Sequence, residues 1–329
     1  MKIKAAIIGL GRIASILEDD SLREKPCTHA GAIVSNEDCV LAAGCDKDEE
    51  RRIAFSRKWS VPSFSDAEKM LSEYKPQILA IATHPDSHYH YCNLAAKHKV
   101  PVIICEKPLA DSLTDARKIV DLTNKKDGPV IITNHERRYS KDFERAKTIL
   151  KEGILGDIIS IRAVLYFGQK RKLINMLWDD GTHLIDAIMF LTGFTMTHKS
   201  NWGADFEQNK GTAWIEGELS SSSPIPVIIE VGAGRDHLVF EIEFSCENGR
   251  LRIGNGVFEV YRSVSSSYAQ NFNSLENTGE TFSGPTGYFA NMLKDAVNCV
   301  KDPQRIPVSG ALDGLHVIEY LNNVKAWRK

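Results

Sequence analysis

Ile3-Lys4-Ala5-Ala6-Ile7-Ile8-Gly9-Leu10-Gly11-Arg12-Ile13-Ala14 is the stretch that decides how this chain is read. A short apolar run ends in two glycines, and a small residue stands three places after the second. The first glycine permits a tight turn. The second lets main chain approach a pyrophosphate, and Ala14 lets a helix pack closely on the strand. A helix opening at this turn presents its N-terminus to phosphate charge. Gly9, Gly11, Arg12 and Ile13 are therefore the expected dinucleotide contacts. The bland alternative is a strand-to-helix turn that binds nothing.

Outward from this turn, apolar runs alternate with helical patterns, which signals βαβ units and a parallel sheet. Strands are expected at Ile3–Ile8, Val40–Cys45, Ile78–Ala82, Val102–Cys105 and Val130–Thr133. Runs with no polar residue, such as Ile78-Leu79-Ala80-Ile81-Ala82, suit a sheet covered on both faces. Ser65-Asp66-Ala67-Glu68 reads as a capped helix start, and Asp111–Thr123 as an amphipathic helix. The charged stretch Leu17–Cys27 reads as an inserted loop. After Asn134 the texture changes. Phe143–Leu150 reads as a helix, followed by alternating strands at Thr212–Leu219, Ile225–Val231, Leu238–Ser245, Arg250–Ile253 and Val257–Tyr261. Glu247-Asn248-Gly249 is a hairpin turn. Ser263–Pro285 reads as a polar surface loop, and helices at Tyr288–Val300 and Gly310–Lys329 close the chain. The expected fold is α/β: a doubly wound Rossmann domain over 1–133, then an α+β domain with a large, mostly antiparallel open sheet over 134–329.

Strand ends on one edge of such a sheet hold the ligand. The second strand ends in Asp46, whose carboxylate can accept from an adenosine ribose and repel a 2′-phosphate. NAD is thus favoured over NADP, although Lys47, Arg51 or Arg52 could meet a phosphate instead, and Asp46 could also cap the next helix. Val102-Ile103-Ile104-Cys105 ends on Glu106-Lys107-Pro108, which places a lysine where a proton can be exchanged with a substrate. Asp179 and His183, four apart, share one side of an expected helix start, with Asp186 three further on. An imidazole oriented by a carboxylate suits acid–base work. A capping aspartate and a structural histidine are the competing reading. His84, His88 and His90 are too few for a zinc site without a further ligand, so no metal is expected.

The 329 residues suffice for two cores, and a net charge of −2 gives no electrostatic pull towards nucleic acid or anionic membrane. Lys170-Arg171-Lys172 is too small a basic cluster to change that. Lys2 and Lys4 before an apolar run mimic a signal peptide, but Gly9-Leu10-Gly11-Arg12 breaks the run and no cleavage pattern follows. No stretch approaches the ~20 apolar residues of a membrane span. Seven cysteines without framework spacing read as reduced thiols of a cytoplasmic protein.

These residues together resemble the Gfo/Idh/MocA oxidoreductases. Gly9-Leu10-Gly11-Arg12-Ile13-Ala14 is similar to the family's nucleotide turn. Thr83-His84-Pro85-Asp86-Ser87-His88 is similar to its loop beside the nicotinamide. Glu106-Lys107-Pro108 resembles its most diagnostic tripeptide. Arg137-Arg138-Tyr139, Gly153-Ile154-Leu155-Gly156-Asp157 and Asp179-x-Gly-x-His183-x-x-Asp186 resemble later motifs. The resemblance adds Thr83, His84, Pro85, His88, Glu106 and Lys107 to the expected cofactor contacts. It makes Lys107, Asp179 and His183 the expected catalytic group. It also implies NAD(P)-dependent hydride transfer at a hydroxyl or keto carbon of a sugar, cyclitol or sugar-nucleotide, and a homodimer or homotetramer formed through the second sheet. Leu173-Ile174-Asn175-Met176-Leu177-Trp178 replaces the family's glycine pair before the aspartate, which implies an unusual substrate. A nucleotide-sensing regulator on the same fold, and a reductase of a non-sugar carbonyl or imine, are the rival readings.

Overall fold

The computed structural model describes residues 2–167 and 171–326. Two compact units emerge: residues 1–140 with 285–318, and residues 141–284 with 319–329. The expected boundary at 133/134 thus falls close to the first break. The expected domain extents differ in that residues 285–318 return to the first unit.

In chain order the first unit runs β1 (Ile3–Ile8), α1 (His29–Ser35), β2 (Cys39–Cys45), α2 (Glu49–Trp59), β3 (Ser63–Phe64), α3 (Ala67–Tyr74), β4 (Ile78–Ile81), α4 (His88–Lys97), β5 (Val102–Cys105), α5 (Leu113–Thr123) and β6 (Val130–Thr133). The sheet is parallel throughout, in the order β3-β2-β1-β4-β5-β6. Its β4 and β5 are buried at every residue, as their unbroken apolar runs require. Register sets the site. Ile8 pairs with Cys45 and Ile81, Ile81 with Cys105, and Cys105 with Thr133. The residues that follow these five strand ends therefore emerge in one row: Gly9, Asp46, Ala82, Glu106 and Asn134. The order reverses between β1 and β4, the place where an open sheet forms its crevice. Asp66, one residue later than expected, caps α3 by accepting from the main-chain N–H groups of Glu68 and Lys69.

The second unit holds α6 (Lys141–Lys151), β7 (Ile158–Phe167), α7 (Leu173–Met176), α8 (Thr182–Thr192), β8 (Met196–Gly203), β9 (Gly211–Leu219), β10 (Ile225–Ala233), β11 (Val239–Cys246), β12 (Gly249–Gly254), β13 (Val257–Ser265) and β14 (Asn273–Asn277). Its sheet is ordered β14-β13-β12-β11-β7-β10-β9-β8, antiparallel except for β7 beside β10. Alternate residues such as Ile161, Ala163, Leu165, Ile242 and Phe244 are buried on one face. There α6 packs on β12 and α8 on β11. The other face carries ion pairs and aromatic rings beside exposed apolar residues such as Ile228. Arg162 meets Glu230 at 2.8 Å, Arg252 bridges Glu241 at 2.6 Å and Glu259 at 2.8 Å, and Trp202 stacks on Trp214 with ring centres 4.5 Å apart. The expected loop over 263–285 contains β14, paired with β13. An edge strand needs only main-chain bonds on one side, so its composition of Asn, Ser and Glu gives no alternation to read.

The chain ends with α9 (Tyr288–Lys301) and α10 (Ala311–Ala326). Phe289, Met292, Leu293, Ala296 and Val297 of α9 join the core formed by Ile3, Ala5 and Ile7 of β1 and Ile33 of α1. That burial is why α9 belongs to the first unit. Among the described residues no helix is long and apolar enough to cross a membrane.

Candidate active site

The glycine turn has the shape a pyrophosphate requires. Gly9 takes φ +87°, and a Cβ there would lie 2.6 Å from the Ala82 carbonyl oxygen. At Gly11 a Cβ would meet nothing closer than the Arg51 guanidinium, at 3.8 Å, so the missing side chain leaves open space above the turn. The turn therefore fits a dinucleotide. Arg12 is exposed on it, and Ile13 packs back on the core.

The helix after the turn differs from expectation. No regular α-helix forms there: Ser15 N–H donates to Gly11 O at 3.1 Å and Leu17 N–H to Arg12 O at 3.0 Å, and a short 3-10 helix follows at Ile16–Asp19. The chain then leaves the helix and returns at α1. The carbonyls of Ile13 and Ala14 accept from His29 N (3.2 Å) and Ala30 N (2.9 Å), as though the residues between were looped out of one helix. The excursion contains the expected Leu17–Cys27 loop, and it is densely bonded. Glu18 accepts from Thr28 Oγ1 at 2.6 Å, Lys58 donates to Ser15 O at 3.0 Å, and Trp59 donates to Ser15 Oγ at 2.7 Å. Glu24 accepts from the main-chain N–H groups of Thr286 (2.8 Å) and Gly287 (2.7 Å) at the start of α9.

Asp46 holds the turn. Its Oδ2 accepts from Leu10 N at 2.7 Å and its Oδ1 from Asp48 N at 2.9 Å. The cap of α2 is Asp48, which accepts from Arg51 N, so Asp46 does not cap that helix. Arg52 is committed to the carbonyls of Asp46 and Lys47. Arg51 lies 3.8 Å from Asp46 Oδ2 and is half exposed beside Gly11. On the other side of β1, Thr83, His84 and Pro85 line the loop after β4, where Ser87 Oγ donates to His84 O at 2.8 Å. His88 sits differently from the expected cofactor contact. It is fully buried, with Nδ1 against the carbonyls of Pro108 (3.1 Å) and Leu109 (3.2 Å) and Nε2 against Thr83 O (3.1 Å). Burial pushes its imidazole pKa down even though those carbonyls favour protonation. It ties the loop after β4 to the turn after β5.

Glu106 is 7% exposed and receives three donors. His29 Nε2 lies 2.7 Å and Asn134 Nδ2 2.6 Å from Oε1, while Lys107 N lies 3.3 Å from Oε2. Burial acts to raise the carboxyl pKa. The His29 bond and charge, the Asn134 bond and the Lys107 charge outweigh it, so the pKa falls below the ordinary carboxylate value. Lys107 is half-buried beside it. Asn134 Oδ1 is buried with no partner among the described residues, an acceptor available to a bound amide or water. His135, one residue on, is fully buried, and burial is the main cause that takes its pKa down to about 3.

In the second unit the expected helix start at Asp179 is absent. Helical structure runs unbroken from α7 through a π-turn at Leu177–Gly181 into α8. Asp179 therefore caps nothing and lies on the π-turn, a feature often found at functional sites. Arg171 Nη2 pairs with Asp179 and its Nη1 with Asp180 Oδ2 at 3.0 Å. Asp179 is half exposed, His183 half-buried and Asp186 buried. Lys170 of the basic cluster lies outside the described residues.

Sequence reasoning missed His29 and Asn134. Asn134 had a usable signal, since it follows β6 as Glu106 follows β5. His29 had none, because the excursion hides that it continues the helix begun at Gly11. All seven cysteines are free and buried. Among the described residues no three His, Cys, Asp or Glu gather to hold a metal ion.

Residues 3–134 match the model of the Gfo/Idh/MocA oxidoreductase family, NAD-binding Rossmann fold. The chain is 26% identical over 254 residues to D-glucoside 3-dehydrogenase of Escherichia coli, covering 74% of this chain and 67% of that protein. It is 26% identical over 155 residues to myo-inositol 2-dehydrogenase of Thermotoga maritima, covering 47% of this chain and 42% of that protein, less than half of the relative's length. In fold it resembles an oxidoreductase from Agrobacterium radiobacter in complex with NAD+, L-tartaric acid and magnesium. That match has a TM-score of 0.74 at 18% identity and covers 99% of this chain and 96% of the other.

Proposed function

We propose that this chain, which belongs to the Gfo/Idh/MocA oxidoreductase family, transfers a hydride between a nicotinamide dinucleotide and a hydroxyl or keto carbon of a sugar, cyclitol or sugar-nucleotide. One observation carries the reading: the glycine turn, Asp46 and Glu106-Lys107 emerge in register on one sheet edge. A bound dinucleotide supplies the hydride acceptor. The open space at Gly11 would take its pyrophosphate and Asp46 would accept from its ribose, which favours NAD. Lys107 takes the proton from the reacting hydroxyl. The resemblance of Asp179-x-Gly-x-His183 to the family motif supports a part for both side chains in proton handling. The sugar class is supported by relatives that act on a glucoside and on myo-inositol. Buried free thiols suit a reducing cytoplasm. A homodimer or homotetramer through the second sheet rests on the resemblance to the family.

The test is Lys107→Met. Turnover in a screen of polyols and glycosides with NAD should fall on the order of 10²–10⁴-fold, the usual cost of removing an acid–base group. NAD should still bind, since the glycine turn holds its phosphates. Normal turnover by a folded variant rejects the assignment. A wild-type chain that binds NAD but turns over none of these compounds favours the nucleotide-sensing reading.

A further inference from the structure

We infer that His29 is a positioning residue for Lys107, acting through the Glu106 carboxylate. The inference rests on the reading of Lys107 as the proton acceptor. His29 is 2% exposed, and its ring stands edge-on to Phe289 with centres 5.3 Å apart. That packing fixes the imidazole plane before any ligand arrives. The partner is an ionised carboxylate, which can only accept, so Nε2 carries the hydrogen. Asn134 donates to the same Oε1, and its amide orientation is settled by the same argument. Two donors from two elements therefore hold one oxygen, while the other oxygen turns back to the Lys107 N–H. The lysine's main chain is thereby tied to the same carboxylate that His29 and Asn134 hold.

The charge balance gives the arrangement a measurable consequence. His29, Lys107, His88, Cys105 and His135 are the titratable groups that couple to Glu106. Burial holds His88 and His135 towards the neutral form, and the Cys105 thiol is raised far from ionisation. Without His29, the desolvation of Glu106 would lack its strongest opposing bond. The carboxylate would then lose the donor that fixes its plane, and its charge would no longer be held in place relative to Lys107. An ammonium without that neighbour releases its proton at lower pH. The 16–28 excursion delivers His29 here, since it returns to the helix at that residue. An imidazole thus tunes the lysine from outside the reacting atoms.

The test needs no substrate. The full-length chain is labelled with acetic anhydride across a pH series, and Lys107 acetylation is followed by peptide mass spectrometry. Exposed Lys151 in the same digest is the reference for reagent and pH, and urea unfolding of each variant reports its fold. His29→Phe should move the Lys107 midpoint down by about one pH unit. His29→Gln, which keeps an N–H near the Nε2 position, should return it to within about 0.3 unit. Glu106→Gln should reproduce the His29→Phe shift, and the double variant should add nothing to it. A Lys107 midpoint unmoved in His29→Phe, or moved equally by Phe and Gln, overturns the inference. Lys107→Met turnover is measured separately. Normal turnover there sinks the proton-acceptor reading, whatever the labelling shows.

Discussion

Glu106-Lys107 after β5 and Asp179–His183 around the π-turn carry the two sets of proposed reactive side chains, and they are held in opposite ways. Glu106 is buried and bonded to His29, Asn134 and main chain. Asp179 is half in water and pairs with Arg171, which also serves Asp180. A buried carboxylate whose donors are all supplied is fixed in place, and removing it leaves those donors stranded. An exposed ion pair is screened, entropically costly and worth little to the fold. Fold and chemistry are therefore entangled in the first region and separable in the second.

Stability should show this contrast most strongly. Glu106→Leu strands the N–H groups of His29 and Asn134 in the core and should cost about 3–5 kcal/mol, the range for breaking a buried pair. Arg171→Leu should cost no more than about 1 kcal/mol. Urea unfolding of both variants beside wild type makes the comparison. Equal losses would mean that the two regions are not held differently.

Acid should act on the first region alone. His135 is held by burial at a pKa of about 3, against 6.5 for an ordinary histidine. Between those values the unfolded chain takes up a proton that the folded unit refuses, so stability falls as pH falls. From pH 7 to pH 5 this one group should remove about 2 kcal/mol. His88, also pushed down by burial, adds loss of the same sign. The lowered Glu106 carboxyl acts further down: its stabilisation is present above the ordinary carboxylate range and is lost as pH falls through its folded pKa. Urea titrations at pH 7 and pH 5, read by circular dichroism, give the slope. His135→Asn should flatten it. An unchanged slope in that variant would assign the acid sensitivity elsewhere.

The two regions also differed in how far sequence could reach them. Parallel strands buried on both faces declare themselves as apolar runs. Their ends fall in register, so Gly9, Asp46 and Lys107 could be placed on one edge from pattern alone. His29 could not. Its neighbour in the helix is Ile13, and a chain that leaves and rejoins a helix carries no periodicity across the gap. The return of α9 to the first core was equally hidden, because an amphipathic pattern shows that a face is buried without showing against what. Around Asp179 the Asp-x-Gly-x-His spacing was visible, but its setting was misread. Asp179 was read as standing at a helix start, whereas Leu173 and Met176 were already helical and buried. The misreading matters because it decides what Asp179 is for.

A capping aspartate is replaceable by asparagine in every respect, since both accept from the first helical N–H groups. Asp179 caps nothing, so its conservative replacement tests charge alone. Asp179→Asn removes one carboxylate from Arg171 while Asp180 remains to answer it. The fold should hold within about 0.5 kcal/mol, as for surface changes away from buried networks. Turnover should nevertheless fall, by roughly tenfold, if the carboxylate supports proton transfer rather than the helix. His183→Asn should lower turnover too and alter its pH dependence, because imidazole titrates in the working range. If both proton-handling residues act as one unit, the double variant should be hardly slower than the worse single one. Unchanged kinetics in Asp179→Asn, with stability also unchanged, would leave the carboxylate with no role beyond neutralising Arg171, and would confine the chemistry of this chain to Lys107 and the groups that hold it.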